Sequence, residues 1–360
     1  MTAIESSHQT IEVGYDELCG ALAARDMKGL WSFQTRLMPE IPVPTTLPWL
    51  WKWEVIHRLA KAAGDIVTIE RGGDRRVLAL VNPGLRGLPF TSTTLWGAVQ
   101  YLGPGESAPA HRHSPSAIRF VMKGKGGVYT TVNGDACDME EGDLILTPNW
   151  MWHDHMNTSD EAMLWFDGLD LPLVSTLESI FFENHPDNTQ PIDGRNLSEQ
   201  SFAGVGLRRP TGSPGRDRLL RYSWAQMDRA LSTLQDATGE DLVVLEYTDP
   251  STGRPIIPTF TCEMMRIRPG TRSRSARKTG SSVFAVLHGR GRSVIAGERF
   301  EWSAGDIFVA PSWAAVDHEA DEQANVFVLS DRVVLEALQL YRTEALDERQ
   351  PVTSTFEPVR

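Results

Sequence analysis

The chain carries one pattern twice. Gly105-Glu-Ser-Ala-Pro-Ala-His-Arg-His is echoed from Gly270 to Lys278. Arg119-Phe-Val-Met-Lys-Gly-Lys-Gly returns as Phe284-Ala-Val-Leu-His-Gly-Arg-Gly, and Gly142-Asp-Leu-Ile-Leu-Thr-Pro-Asn-Trp returns as Gly305-Asp-Ile-Phe-Val-Ala-Pro-Ser-Trp. The offset is 165 residues at the first motif and 163 at the last, so the second copy is two residues shorter between them. Self-similarity on that scale means that a whole domain is duplicated. Each copy must then close its own core, and a chain of 360 residues has room for two of them.

Within each copy the apolar residues come in short β-branched runs punctuated by Gly, Pro, Asn and Asp. In the first, Ile66-Val-Thr-Ile, Val77-Leu-Ala-Leu-Val, Trp96 to Leu102, Ala117 to Met122, Gly127 to Val132, Asp143 to Thr147 and Ala162 to Phe166 are strand candidates. Val132-Asn-Gly-Asp joins two of these runs as a tight hairpin, because Asn-Gly supplies the left-handed pair that such a turn needs. Many short strands at close spacing predict an all-β sandwich or barrel in each copy.

Other segments frame the copies. We read residues 1–65 as a helical N-terminal arm, with helix-compatible spacing from Val13 to Met27 and from Leu50 to Ala63, and prolines at 39, 42, 44 and 48 holding the connector extended. The clustered Trp31, Trp49, Trp51 and Trp53 are expected to pack this arm onto a domain or a neighbouring subunit. The first copy spans 66–175, a linker with one helix spans 176–240, the second copy 241–332, and a closing helix and tail 333–360. In the linker, Ser223 is the expected N-cap of a helix running to Leu234, and 190–215 is expected to be loop. Arg266 to Lys278 is expected to be a solvated or interface face.

Net charge is -12, which disfavours a nucleic-acid backbone as partner. No apolar run reaches the length of a membrane span, and the first residues lack the basic and apolar regions of a secretory signal. Cys19, Cys137 and Cys262 are odd in number and far apart, which suits a reducing cytoplasm without a disulfide framework.

The chemistry concentrates between Gly105 and Asn157. His111 and His113 lie two apart on a predicted strand and so point to one face, and His153 and His155 repeat that spacing on another. Four imidazoles converging on one point form a candidate metal site. Gly105-(five residues)-His111-Arg-His113, then Gly142-(five residues)-Pro148-Asn-Trp150-(two residues)-His153-(three residues)-Asn157, resembles the paired motifs of the cupin superfamily. Two tandem copies make a bicupin, which implies two tandem jelly-roll β-barrels. The match departs from the common pattern where a glutamate is expected after the first histidine pair, with Arg119 nearby instead, and where Trp150 replaces a glycine.

His-Arg-His-Ser-Pro-Ser-Ala-Ile-Arg-Phe, Trp-His-Asp-His-Met-Asn and Val81-Asn-Pro-Gly-Leu-Arg-Gly are similar to the gentisate 1,2-dioxygenase family, which includes salicylate and 1-hydroxy-2-naphthoate dioxygenases. The resemblance implies Fe(II) held by His111, His113 and His153. It implies a small aromatic hydroxy acid and O2 as partners, ring opening of gentisate to maleylpyruvate, and a homotetramer. His155 then takes a substrate-side role, with Arg119 meeting the substrate carboxylate. Arg75, Trp96, Ala98 and Gln100 line the pocket, and Arg76 adjoins Arg75 as the alternative. Val77, Trp96 and Ala98 are the positions expected to choose among gentisate, salicylate and hydroxynaphthoate. Asp167 and Asp170 are expected to make supporting hydrogen bonds. At the matching points of the second copy stand Ala276, Lys278 and Val316, with His318 at the place of His155, so that copy is expected to hold no catalytic metal. A cupin without oxygen chemistry, acting as a sensor, isomerase or storage protein, is the competing reading.

Overall fold

The computed structural model describes residues 14–68, 72, 76–202 and 217–358. It divides after Val43 into two units. The first contains the helix Tyr15–Ala23, with Asp16 and Glu17 in the first turn where the helix dipole favours negative charge, and the short helix Gln34–Leu37. The second unit contains both β copies.

Each copy is a pair of six-stranded sheets, giving the all-β bicupin architecture of two jelly-roll barrels. In the first copy one sheet runs Arg221–Tyr222, Leu144–Thr147, Ala117–Lys123, Met163–Leu169, Trp96–Leu102, Val77–Ala79. The other runs Phe182–Asn184, Ser107–His113, His153–Asn157, Val128–Val132, Asp135–Met139, Gly194–Arg195. The second copy reproduces both orders, with Trp49–Trp51 at the edge where the first copy has Arg221–Tyr222. The hairpin at Asn133-Gly134 has φ of 44° and 83°, and its twin at Ala296-Gly297 has 51° and 84°, the left-handed pair of a turn matched to strand twist.

The copies are tied by reciprocal exchange. Strand Trp49–Trp51, which precedes the first copy, pairs with Ile307–Ala310 of the second, and Arg221–Tyr222, which precedes the second, pairs with Leu144–Thr147 of the first. Asp306 Oδ1 accepts from the Trp53 backbone N–H at 2.8 Å, and Asp143 Oδ1 accepts from that of Trp224 at 2.9 Å, so each helix start is capped by the opposite copy. Asp170 Oδ2 accepts from Thr259 Oγ1 and Asp331 Oδ2 from Thr94 Oγ1, both at 2.5 Å. The outer faces of two sheets meet where the Phe120 ring stacks on Phe327 at 4.3 Å, both fully buried.

Several expectations change. Leu50 to Ala63 is not one helix: Trp49–Trp51 is a strand, and the helix runs Trp53–Ile66. Ile66 and Val67 therefore end a helix instead of opening a strand, and residue 69 lies outside the described residues. Ser223 makes no side-chain cap, because Asp143 supplies the acceptor. Besides the expected helix, which runs Trp224–Thr238, the bridge between the copies contains among the described residues the helices Leu171–Thr176 and Leu197–Ser201 and the edge strands Phe182–Asn184, Gly194–Arg195 and Arg221–Tyr222. Arg266 is buried, donating to Asn325 at 2.7 Å and pairing with Asp228 at 2.5 Å, so it is no solvated face. No helix among the described residues is long and apolar enough to cross a membrane.

Candidate metal centre

Strands Ser107–His113 and His153–Asn157 lie side by side in antiparallel register, with His111 opposite His153 and an irregularity between Ala108 and His111. Period-two alternation puts His111 and His113 on one face, and His153 and His155 likewise. The His111, His113 and His153 rings have centroids 4.3 to 5.6 Å apart, and one nitrogen from each lies within 4.8 Å of the others. Metal–imidazole bonds of about 2.1 Å bring such ligands together at this scale.

The outer nitrogens are already committed. Nδ1 of His111 lies 2.9 Å from the Pro109 carbonyl, that of His113 2.7 Å from Pro115 O, and that of His153 2.9 Å from Met151 O. A carbonyl requires an N–H there, so all three rings carry the proton on Nδ1 and present the Nε2 lone pair. His153 Nε2 is buried without a hydrogen-bond partner. Burial, then His111, Arg119 and His113, holds the His153 imidazole well below the usual histidine range, so it stays neutral. A buried, unpaired lone pair is costly unless something accepts it, and a cation is the natural occupant. The three residues therefore fit a metal ion.

His155 does not join this group. Its Nε2 accepts from Arg119 Nε at 3.2 Å, and its Nδ1 faces Thr130 Oγ1 at 2.8 Å. Arg119 also donates to Thr147 Oγ1 at 2.5 Å and lies 3.8 Å from Asp167. The buried arginine thus has partners inside the protein already. Burial pushes the Asp167 carboxyl up to about 6, against the opposing pull of Arg119 and of the Trp165 indole N–H that it accepts at 2.9 Å.

The facing sheet collects the remaining candidates. Asp167 pairs with both Arg119 and Ala98, Trp165 with Gln100, and Leu169 with Trp96. Directly paired residues share a face, so Trp96, Ala98, Gln100 and Arg119 point the same way, and Val77 joins them opposite Gln100. Ala98 and Gln100 are buried, and Trp96 and Val77 are half-buried. Arg75 lies outside the described residues, whereas Arg76 pairs with Glu106 at 2.5 Å and donates to Val67 O at 3.0 Å.

One feature, the Phe182 ring, escaped sequence reasoning, and one departure noted in the sequence, Trp150, gains a structural reason. Phe182, on an edge strand from the bridge, stacks on His111 at 5.4 Å, and only its aromatic run Phe181-Phe182 hinted at it. Trp150, where the common motif has glycine, sits at φ 59°. Its ring covers Arg112 at 4.6 Å, with Trp152 on the same guanidinium at 4.4 Å, which offsets a left-handed penalty of roughly 1–2 kcal/mol.

A cupin domain model matches residues 98–169. The chain is 42% identical to a gentisate 1,2-dioxygenase of a Streptomyces species, covering 94% of this chain and 97% of that one. It is 37% identical to a 5-aminosalicylate 1,2-dioxygenase of a Comamonas species, over 97% and 96%. Its fold is similar to the crystal structure of a salicylate 1,2-dioxygenase from Pseudaminobacter salicylatoxidans, with TM-score 0.87, 38% identity and coverage of 92% and 97%.

Proposed function

Because the chain belongs to the family of gentisate, salicylate and hydroxynaphthoate 1,2-dioxygenases, ring-cleaving enzymes of the cupin superfamily, we propose that it opens gentisate with O2 between the carbons bearing carboxylate and hydroxyl, giving maleylpyruvate. His111, His113 and His153 hold Fe(II) in this reading, and three neutral imidazoles leave it a full double positive charge. When bound, Fe(II) supplies open coordination positions and the redox chemistry that sets dioxygen against the ring.

The chain's own residues bind and orient. Arg119 turns its guanidinium to the substrate carboxylate, where a planar fork meets two oxygens at once. Asp167 and Thr147 hold that guanidinium in place before substrate arrives. Arg119 Nε, which can only donate, keeps His155 as the Nδ1–H tautomer with Thr130 accepting; once the substrate carboxylate draws the guanidinium to itself, the released Nε2 accepts from the ring hydroxyl and takes up its proton. Ala98, Gln100 and Trp96 form the wall against the ring, and Phe182 shields His111 from water. We read the enzyme as cytoplasmic, with its cysteines unpaired, and as a homotetramer.

The observation that carries this reading is the convergence of three imidazoles, two buried and one half-buried, with committed Nδ1 protons beside a buried arginine. Gentisate is preferred because the Streptomyces relative bears that name at 42% identity. The test is oxygen uptake by the Fe(II)-loaded chain on gentisate, salicylate and 1-hydroxy-2-naphthoate. Rapid uptake on gentisate is expected; uptake on another acid with none on gentisate moves the substrate, and uptake on none removes the enzyme.

A further inference from the structure

The barrel of the second copy opens onto a cavity of about 290 Å³. Volumes at this end of the range suit compact ligands. Its walls are apolar, built by Val244, Met265, Phe284 and Val328, and it is lined by the positions that match the histidines of the first copy. Ala276 pairs with Val316 across two strands just as His111 pairs with His153, and these small side chains leave the space open. Lys278 stands at the position of His113.

Three observations point to an occupant of one kind. Lys278, half-buried, makes no hydrogen bond or ion pair through Nζ among the described residues. Ser282 is buried, lines the same cavity, and its hydroxyl has no hydrogen-bond partner. The charged lining is Arg274, Arg277 and Lys278 against Glu263 alone, and the Glu263 carboxylate, whose charge also acts on Lys278, is shared with Arg332 at 3.2 Å. An apolar chamber with one uncommitted ammonium, one unsatisfied hydroxyl and a cationic rim recognises a small anion with an apolar body. A metal is the wrong guest, since an ammonium offers no lone pair.

We infer that the second barrel is a binding site for a compact, ring-sized carboxylate, its carboxylate held by Lys278 and Ser282 and its ring seated against Phe284 and Val328. Burial lowers the Lys278 ammonium from its usual lysine range, so a bound carboxylate restores part of what desolvation takes. The first copy places its buried cation at Arg119, on the opposite sheet, so the two barrels would take an acid in different orientations. The inference stands apart from the ring-cleavage reading, since Lys278 belongs to the other barrel.

The test is equilibrium dialysis of labelled benzoate, which lacks the ortho hydroxyl needed for chelation, against the Fe(II)-loaded full chain without oxygen. Binding is expected to persist in Arg119→Met, to weaken at least tenfold in Lys278→Met, and to weaken less in Ser282→Ala. Gentisate turnover is expected to be unchanged in Lys278→Met. Val316→Phe, which fills the chamber without altering charge, is expected to exclude benzoate from it and decides the matter if Lys278→Met does not fold. Wild-type affinity in both Lys278→Met and Val316→Phe would overturn the inference, as would loss of all benzoate binding in Arg119→Met.

Discussion

The two barrels share a ladder and differ in what stands on it. His111 faces His153 in the first, and Ala276 faces Val316 in the second. Asp167 pairs with Arg119 and Ala98 in one; Val328 pairs with Phe284 and Glu263 in the other. His155 and His318 keep the same inner hydroxyl contact, Thr130 at 2.8 Å and Ser293 at 2.7 Å. Yet Arg119 donates to His155, while the Phe284 ring meets His318 edge-on at 5.3 Å, and burial lowers His318 to about 4. A duplicated fold preserves the hydrogen bonds that hold its strands and helix ends. The inward side chains, which no strand needs for pairing, are where the copies part.

The comparison breaks most visibly at the imidazoles. Replacing His111 by Ala should reduce oxygen uptake on gentisate to background, whereas Ala276→Ser should leave it unchanged; equal effects would dissolve the distinction. Next comes Arg119: Arg119→Met should lower kcat/KM by about 10²- to 10³-fold, with Lys a poor substitute because it lacks the planar fork. Phe284→Met, its counterpart, should leave kcat/KM within about twofold, a change too small to count as lost transition-state stabilisation. Steady-state kinetics decide both.

The shared interface should respond as a unit. Phe327→Ala removes the ring stacked on Phe120 and should cost roughly 3–5 kcal/mol in denaturant unfolding. Two separate transitions in wild type would show that the barrels are less coupled than their exchanged strands imply.

The smallest effect is a pH dependence. Burial raises Asp170 to about 6 and also raises its twin Asp331. The folded state then holds a proton that the unfolded chain releases near pH 4, so stability falls as pH rises from about 4 through 6. Asp170→Asn lacks this term and should gain roughly 2 kcal/mol relative to wild type between pH 4 and 7. Asp331→Asn should shift in the same direction. Parallel unfolding curves across that range would contradict the linkage.

Much of this was legible in the residues. The Gly-Asp and Pro-x-Trp repeats gave the duplication, and the two His-x-His pairs, once set on strands, gave the centre. Period-two parity put Arg119 on the inner face with them. What the residues did not reveal was contact at a distance. Asp143 caps a helix beginning at Trp224, and Ser223, the nearer and more obvious cap, makes no such bond. Trp49–Trp51 reads as a helix start because aromatic residues satisfy either period, and only its partner Ile307–Ala310 makes it a strand. Nothing local to Arg119 shows that Thr147, His155 and Asp167 gather round it. Phe182 reached His111 along an edge strand too short to carry a periodic signal.

The central claim is that metal belongs to the first barrel alone. Iron per chain, measured after anaerobic Fe(II) loading and desalting, tests it in wild type, His153→Ala and Val316→Ala. The account predicts one iron, none and one; two irons in wild type, or iron retained by His153→Ala, would contradict it.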